Sequence, residues 1–237
     1  MRFVFFIVRP LALWISRFFF KVKFRGVENI PEEGACIITP NHQAYADPIW
    51  ITIPFRRQIY YMAWAKMFKV PVLGFIMRIF GAFPVKLEST DPKAQREAVD
   101  LLKRNCALVI FPEGGRTPDG QLKQFKAGAF RLALTHGVSI LPVTIEGGYE
   151  IWPRQKTFPR TGDLTITFHK PILVERPTDD VSRVEMKERA RQLAEQTRTA
   201  VASALPKTST QVEASTSVSS SYEYEDDTDV FIQDKTH

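Results

Sequence analysis

The sequence predicts an α/β fold, and three observations carry that prediction. Two apolar runs rich in branched residues, Ala35-Cys36-Ile37-Ile38-Thr39 and Cys106-Ala107-Leu108-Val109-Ile110-Phe111, are continuous rather than alternating, as in strands covered on both faces. Runs of this kind alternate along the chain with segments of helical spacing, which places helices around a sheet. Each of the two runs is followed directly by a polar cluster, Asn41 to Asp47 and Phe111 to Thr117. Open α/β sheets bind ligands at the carboxyl ends of their strands, so two such clusters are expected to converge in space.

In chain order, strands are expected at 21 to 25, 35 to 39, 58 to 63, 83 to 86, 106 to 111, 140 to 145 and 164 to 169. Helices are expected at 48 to 54, 71 to 80, 93 to 104, 125 to 135 and 183 to 204. The helix at 48 follows Asp47 and Pro48, an aspartate N-cap with proline at the first helical position. The last helix carries Met186, Ala190, Leu193, Ala194, Thr197, Val201, Ala204 and Leu205 on one stripe, the spacing of a helix docked on a core.

The first cluster, Asn41-His42-Gln43-Ala44-Tyr45-Ala46-Asp47, sets a histidine five residues before a carboxylate. The second, Phe111-Pro112-Glu113-Gly114-Gly115-Arg116-Thr117, holds a carboxylate, two glycines and an arginine. A histidine is the side chain best suited to remove a proton near neutral pH, which makes His42 the candidate base. A carboxylate on its other ring nitrogen fixes the tautomer and stabilises the imidazolium, so Asp47 is the candidate orienter as well as the candidate cap. Arg116 and the Gly114-Gly115 backbone suit an anionic group, with Lys86 and Arg78 as further candidate cations and Glu113 as a substrate contact or a brace for the loop. No G-x-S-x-G elbow occurs. Both cysteines, Cys36 and Cys106, fall in expected buried strands, so a covalent intermediate has no obvious nucleophile. His136 and His169 have no partner signal and read as structural.

These blocks resemble the 1-acylglycerol-3-phosphate acyltransferase family. Asn41 to Asp47 is similar to its first block (N-H-x-S-x-x-D) and Phe111 to Thr117 to its third (F-P-E-G-T-R-S/T). Between them, Gly74-Phe75-Ile76-Met77-Arg78 and Phe83-Pro84-Val85-Lys86 resemble the second, and Leu141-Pro142-Val143-Thr144-Ile145 the fourth. The resemblance implies a largely parallel or mixed central sheet flanked by helices. It also implies transfer of a fatty acyl group from acyl-CoA or acyl-carrier protein to lysophosphatidic acid, with no cofactor. The chain departs from the pattern at Ala44, where serine is usual, at Lys86, where arginine is usual, and at Gly115, where threonine is usual. The Ala44 change loses one hydroxyl hydrogen bond but touches neither the proton-transfer pair nor the cationic group, so activity is expected to survive it. The other classes weighed are a membrane-associated lipid hydrolase, which lacks a visible nucleophile, and a non-catalytic lipid-binding protein, which would not need the histidine, aspartate and glycine-arginine set together.

Of the 237 residues, 44% are hydrophobic, enough for a substantial core. The formal charge of +6 conceals an asymmetry: residues 207 to 237 hold two lysines against seven acids, a net of −5 that leaves +11 for the rest. No nucleic-acid motif accompanies this basicity, so an anionic membrane surface is the expected partner. Residues 1 to 22 are apolar almost throughout but interrupted by Arg2, Arg9, Arg17 and Lys21, with Pro10 breaking the helical run. They read as a monotopic, interface-lying anchor on the cytoplasmic face, with a single span as the alternative. The acyltransferase domain is expected over 23 to 205. The Ser/Thr-rich acidic tail, 206 to 237, has the composition of a disordered segment. No metal-ligand cluster is visible.

Overall fold

Strand side chains alternate between two cores, and this sets the layering. In the computed structural model, which describes residues 10, 13, 14, 16–86, 91–178 and 180–206, the central strand β2 (Cys36–Pro40) is buried along its whole length. Cys36 and Ile38 face one cluster with Trp50, Ile51 and Phe55. Ile37 faces the other with Leu101, Phe130 and Leu193. The alternation follows from the period of two in a strand, and the continuous apolar run reflects burial on both faces.

The sheet has seven strands in the order β1-β7-β6-β2-β5-β3-β4. The others are β1 (Phe20–Arg25), β3 (Ile59–Trp64), β4 (Ala82–Val85), β5 (Ala107–Val109), β6 (Ser139–Glu146) and β7 (Gly162–Phe168). Strands β6, β2, β5, β3 and β4 are mutually parallel. The chain reverses at β6–β7, which pair antiparallel, and β1 runs parallel to β7 at the edge. The sheet is therefore mixed and largely parallel, as expected. Helix α1 (Asp47–Thr52) covers one face through Trp50 and Ile51. Helices α3 (Pro92–Lys103), α4 (Gly128–His136) and α6 (Arg183–Ala202) cover the other. Helix α2 (Pro71–Ile79) lies beside β4, and α5 (Gly148–Ile151) is a single turn after β6.

Several expectations are corrected. The helix expected at 125 starts at Gly128, and the strand expected over 106 to 111 keeps its ladder only over Ala107–Val109. Cys106 therefore lies ahead of β5 and is half-buried, whereas Cys36 is buried with its thiol pushed up by burial. Two 3-10 turns, Val27–Asn29 and Ala65–Lys69, and the turn α5 were not expected. They are too short for a periodic signal. The strand expected at 21 to 25 starts one residue earlier, at Phe20, so the end of the segment counted as the anchor, Phe20 to Val22, belongs to β1. The rest of that segment is mostly outside the described residues, as are the tail beyond 206 and residues 87–90. Among the described residues no helix is long and apolar enough to cross a membrane.

Asn41, just past the end of β2, ties that strand to β6. Its side-chain N–H donates to the Ile145 carbonyl at 2.9 Å, and its carbonyl accepts the Ile145 N–H at 2.7 Å. The buried amide thus adds a rung to the β2–β6 ladder. Replacing Asn41 by leucine would leave both Ile145 groups unpaired in a dry site, so Asn41→Leu should lower stability by about 2–4 kcal/mol in urea denaturation. A loss of about 0.5 kcal/mol or less, the range of a neutral surface change, would remove the amide from this role.

Candidate functional site

Strands β2 and β5 are adjacent and parallel, with Ile38 paired to Val109. The same offset of 71 residues carried past the strand ends sets His42 beside Glu113, whose Oε1 accepts the His42 backbone N–H at 2.9 Å. The Thr117 N–H donates to the His42 carbonyl at 2.8 Å. The two sequence blocks are thereby stitched together through both backbone groups of one residue.

The His42 Nδ1 lies 2.8 Å from Asp47 Oδ2. The same carboxylate oxygen accepts the N–H groups of Gln43 at 2.6 Å and Ala44 at 2.8 Å. Asp47 is fully buried. With this acceptor on one side, Nδ1 carries the proton and Nε2 is left as the basic nitrogen. The expected N-cap role is corrected: the helix already begins at Asp47, Ala46 holds the cap position, and no side chain caps it. The carboxylate turns back into the preceding loop because three donors wait there. Phe111 stacks on the imidazole with ring centroids 3.9 Å apart, and Gln43 Oε1 accepts the N–H groups of Gly148 and Tyr149. The loop is held from three strands.

His42 opens on a cleft of about 1970 Å³ lined also by Gly114, Gly115, Arg116 and Lys86. The Arg116 guanidinium lies over the Tyr45 ring at 3.3 Å from its centroid, and Tyr45 in turn meets Trp152 at 5.5 Å. Arg116 Nη1 is buried and has no hydrogen-bond partner among the described residues. A buried donor of this kind calls for an acceptor. Gly114 has a positive φ of 73°, and its N–H closes the turn onto the Phe111 carbonyl; it shapes the loop and does not offer that donor to a ligand. Lys123 fixes the next peptide by donating to the Gly115 carbonyl at 2.9 Å.

A model of the acyltransferase family matches residues 21–146. The chain belongs to the acyltransferase family. Among its relatives is a chloroplastic 1-acyl-sn-glycerol-3-phosphate acyltransferase of Brassica napus, 32% identical over 160 residues, which are 65% of this chain and 46% of that protein. Another is the 1-acyl-sn-glycerol-3-phosphate acyltransferase of Pseudomonas aeruginosa, 28% identical over 60% of this chain and 56% of that one. The chain spans about half the length of the curated relatives it matches. The crystal structure of the 1-acyl-sn-glycerophosphate acyltransferase PlsC from Thermotoga maritima has the same fold, with a TM-score of 0.64, 24% identity and coverage of 82% of this chain and 78% of that one.

Within this acyltransferase domain, two expected substrate contacts are placed elsewhere. Glu113 is buried beneath the His42 peptide and does not line the cleft; its carboxylate braces the loop. Arg78 is folded back onto the Phe68 ring and donates to the Gly74 carbonyl of its own helix, away from the cleft lining. Lys86 is exposed at the cleft margin. Ala44 is buried in the apolar cluster around Trp50, so its methyl group fits where the family uses serine. A Cβ on Gly115 would meet nothing within 4 Å, so the missing threonine widens the cleft floor. His136 and His169 stay outside the cleft, and His169 pairs with the Thr144 hydroxyl at 2.8 Å. The sequence reading did not single out Tyr45, Phe111, Gln43 or Lys123. Their roles arise from contacts that no spacing rule encodes.

Burial lifts the Glu113 carboxyl from 4.5 to about 7, against the pull of the His42 N–H and the nearby Lys123. Between those two values the folded protein holds a proton that the unfolded chain releases, so this group's contribution to stability falls as pH rises through the window. Glu113→Gln keeps the acceptor for His42 and removes the titration. From about pH 5 to about pH 8 the variant should gain roughly 2–3 kcal/mol relative to its parent in paired denaturation curves. A constant difference across that range would place the proton elsewhere.

Proposed function

We propose that the protein transfers a fatty acyl group from an acyl thioester, acyl-CoA or acyl-carrier protein, to the sn-2 hydroxyl of lysophosphatidic acid, giving phosphatidic acid. The observation that carries this reading is the Asp47-oriented His42 facing a cleft lined also by Arg116, whose buried Nη1 has no hydrogen-bond partner among the described residues. His42 Nε2 takes the proton of the acceptor hydroxyl as its oxygen attacks the thioester carbonyl. Asp47 stabilises the imidazolium so formed. The tetrahedral intermediate collapses by breaking the carbon–sulfur bond, and the departing sulfur takes the proton from His42. The ester and the free thiol leave, and the base is restored.

Direct transfer, with both substrates bound, is supported by the lining of the cleft. No serine or cysteine is among its lining residues, and its one threonine, Thr157, is exposed. Its volume of about 1970 Å³ exceeds the roughly 300–1,000 Å³ usual for one small ligand. Arg116, stacked on Tyr45, is positioned to grip the acceptor phosphate with a fork of donors, and Lys86 adds a point charge. Arg154, Lys156, Lys187 and Arg191 line the cleft against one acid, Glu195, a balance suited to an anionic carrier. The names of the relatives, 1-acyl-sn-glycerol-3-phosphate acyltransferases of plants and bacteria, agree with this substrate class. The proposal includes attachment to the anionic, cytoplasmic face of a membrane through residues 1 to 22, where a lipid acceptor is met.

His42→Ala should lower turnover by about 10²- to 10⁴-fold while leaving the urea midpoint nearly unchanged, and Asp47→Asn should also lower turnover by disturbing the tautomer. Near-normal acylation by folded His42→Ala would end the base mechanism.

Arg116→Ala should chiefly raise KM for lysophosphatidic acid, with a much smaller effect on an acceptor lacking the phosphate. Tyr45→Ala should act in the same direction and Tyr45→Phe should restore the parent behaviour, since the ring face and not the hydroxyl holds the guanidinium. Equal losses on both acceptors would move Arg116 to the donor.

A further inference from the structure

The segment between β3 and β4 carries an uncovered apolar face. Helix α2 packs inward through Gly74, its one buried residue, so close to the Ala65–Lys69 turn that a Cβ there would lie 2.7 Å from the Phe68 carbonyl. On the side turned away, Val72 is 72% exposed and Phe75 65%, with Val70 at 52% beside them. Neither Val72 nor Phe75 lines the cleft, whereas Leu73, Ile76, Met77 and Phe80 do. One short helix therefore offers apolar surface both to the cleft and to the outside.

The charge around this face has one sign. From Ile59 to Lys86, the stretch that carries this face, the sequence has four cations, Lys66, Lys69, Arg78 and Lys86, and no carboxylate. Lys66, Lys69 and Arg78 stand exposed on the turn and on the helix itself, Lys66 lying over the ring of Trp64 at 4.8 Å. An apolar ridge rimmed by lysines and arginine, with a tryptophan at its margin, matches an anionic bilayer surface: side chains enter the acyl boundary while cations meet phosphates. A second copy of this chain would bring like charges together.

We propose that the outer face of α2, with the preceding turn, is a membrane-docking surface for anionic phospholipid, separate from the N-terminal segment, and that it sets the mouth of the cleft at the lipid boundary. The inference rests on the lipid-acyltransferase reading for its purpose but not for its test. In the full chain, with residues 1 to 22 retained, the double variant Val72→Asp/Phe75→Asp should bind vesicles of equal parts phosphatidylcholine and phosphatidylglycerol about tenfold or more weakly in sedimentation. Its KM for lysophosphatidic acid embedded in those vesicles should rise to a similar degree, while turnover of a short-chain, water-soluble lysolipid stays within about twofold. Lys66→Gln/Lys69→Gln, which leaves the apolar packing intact, should weaken binding in a salt-sensitive way and keeps the question answerable if the aspartates perturb folding.

Unchanged sedimentation and unchanged KM for both double variants would overturn the docking surface. So would a parent that is dimeric by light scattering and becomes monomeric in Val72→Asp/Phe75→Asp, which would assign the face to self-association. If the parent acylates no lysolipid at all, the proposed activity fails, and sedimentation still decides the docking surface on its own.

Discussion

Because β2 and β5 run side by side in the same direction with Ile38 opposite Val109, the chain leaves the sheet twice at one height. That shared register is what the site depends on. A shift by one residue would turn every side chain of a strand to the other face, and the two apolar cores fix it by burying Cys36 and Ile38 on one side and Ile37 on the other. Hydrophobic burial thus sets the meeting of His42 with Glu113 and Thr117, which the backbone hydrogen bonds then complete. The polar groups do not have to create the geometry; they inherit it.

The second block serves the first in ways that differ from a list of ligand contacts. Glu113 holds the peptide that carries the histidine, Phe111 supports the ring, and Lys123 fixes the glycine loop. Arg116, braced on Tyr45, reaches the cleft with a buried Nη1 that has no hydrogen-bond partner among the described residues. A single buried oxygen of Asp47 collects three N–H groups, so the loop between His42 and Asp47 is closed by the carboxylate that orients the ring. Folding of the loop and orientation of the imidazole are one event.

Much of this was legible in the residues. The continuous runs at 35 to 39 and 106 to 111 marked buried strands, and the polar clusters after them marked the site, because both are local patterns with periods of their own. The placement of Asp47 was legible only in part: Asp-Pro before an apolar run is a sound capping signal, and it lost to three donors supplied by the preceding loop. Glu113 was read as either a substrate contact or a brace for the loop, and Arg78 as a further candidate cation, because charge can be seen in a sequence and direction cannot. Tyr45 under Arg116 depends on where β5 ends, about seventy residues later, and Gln43 beneath α5 on where β6 returns, about a hundred residues later, and no short window contains that information.

The two outermost strands solve a different problem, that of an open sheet with unpaired rims. In β1 the half-buried Phe20, Val22 and Phe24 alternate with exposed Lys21, Lys23 and Arg25, so a foreign strand approaching that rim meets a row of like charges. At the opposite rim β4 spans only Ala82–Val85 and contains Pro84, which has no N–H to offer a newcomer and interrupts any longer ladder. One rim repels and the other cannot be extended. A sheet protected in this way can be concentrated, with its apolar helix face and wide cleft exposed, without its strands joining those of neighbouring molecules into fibres.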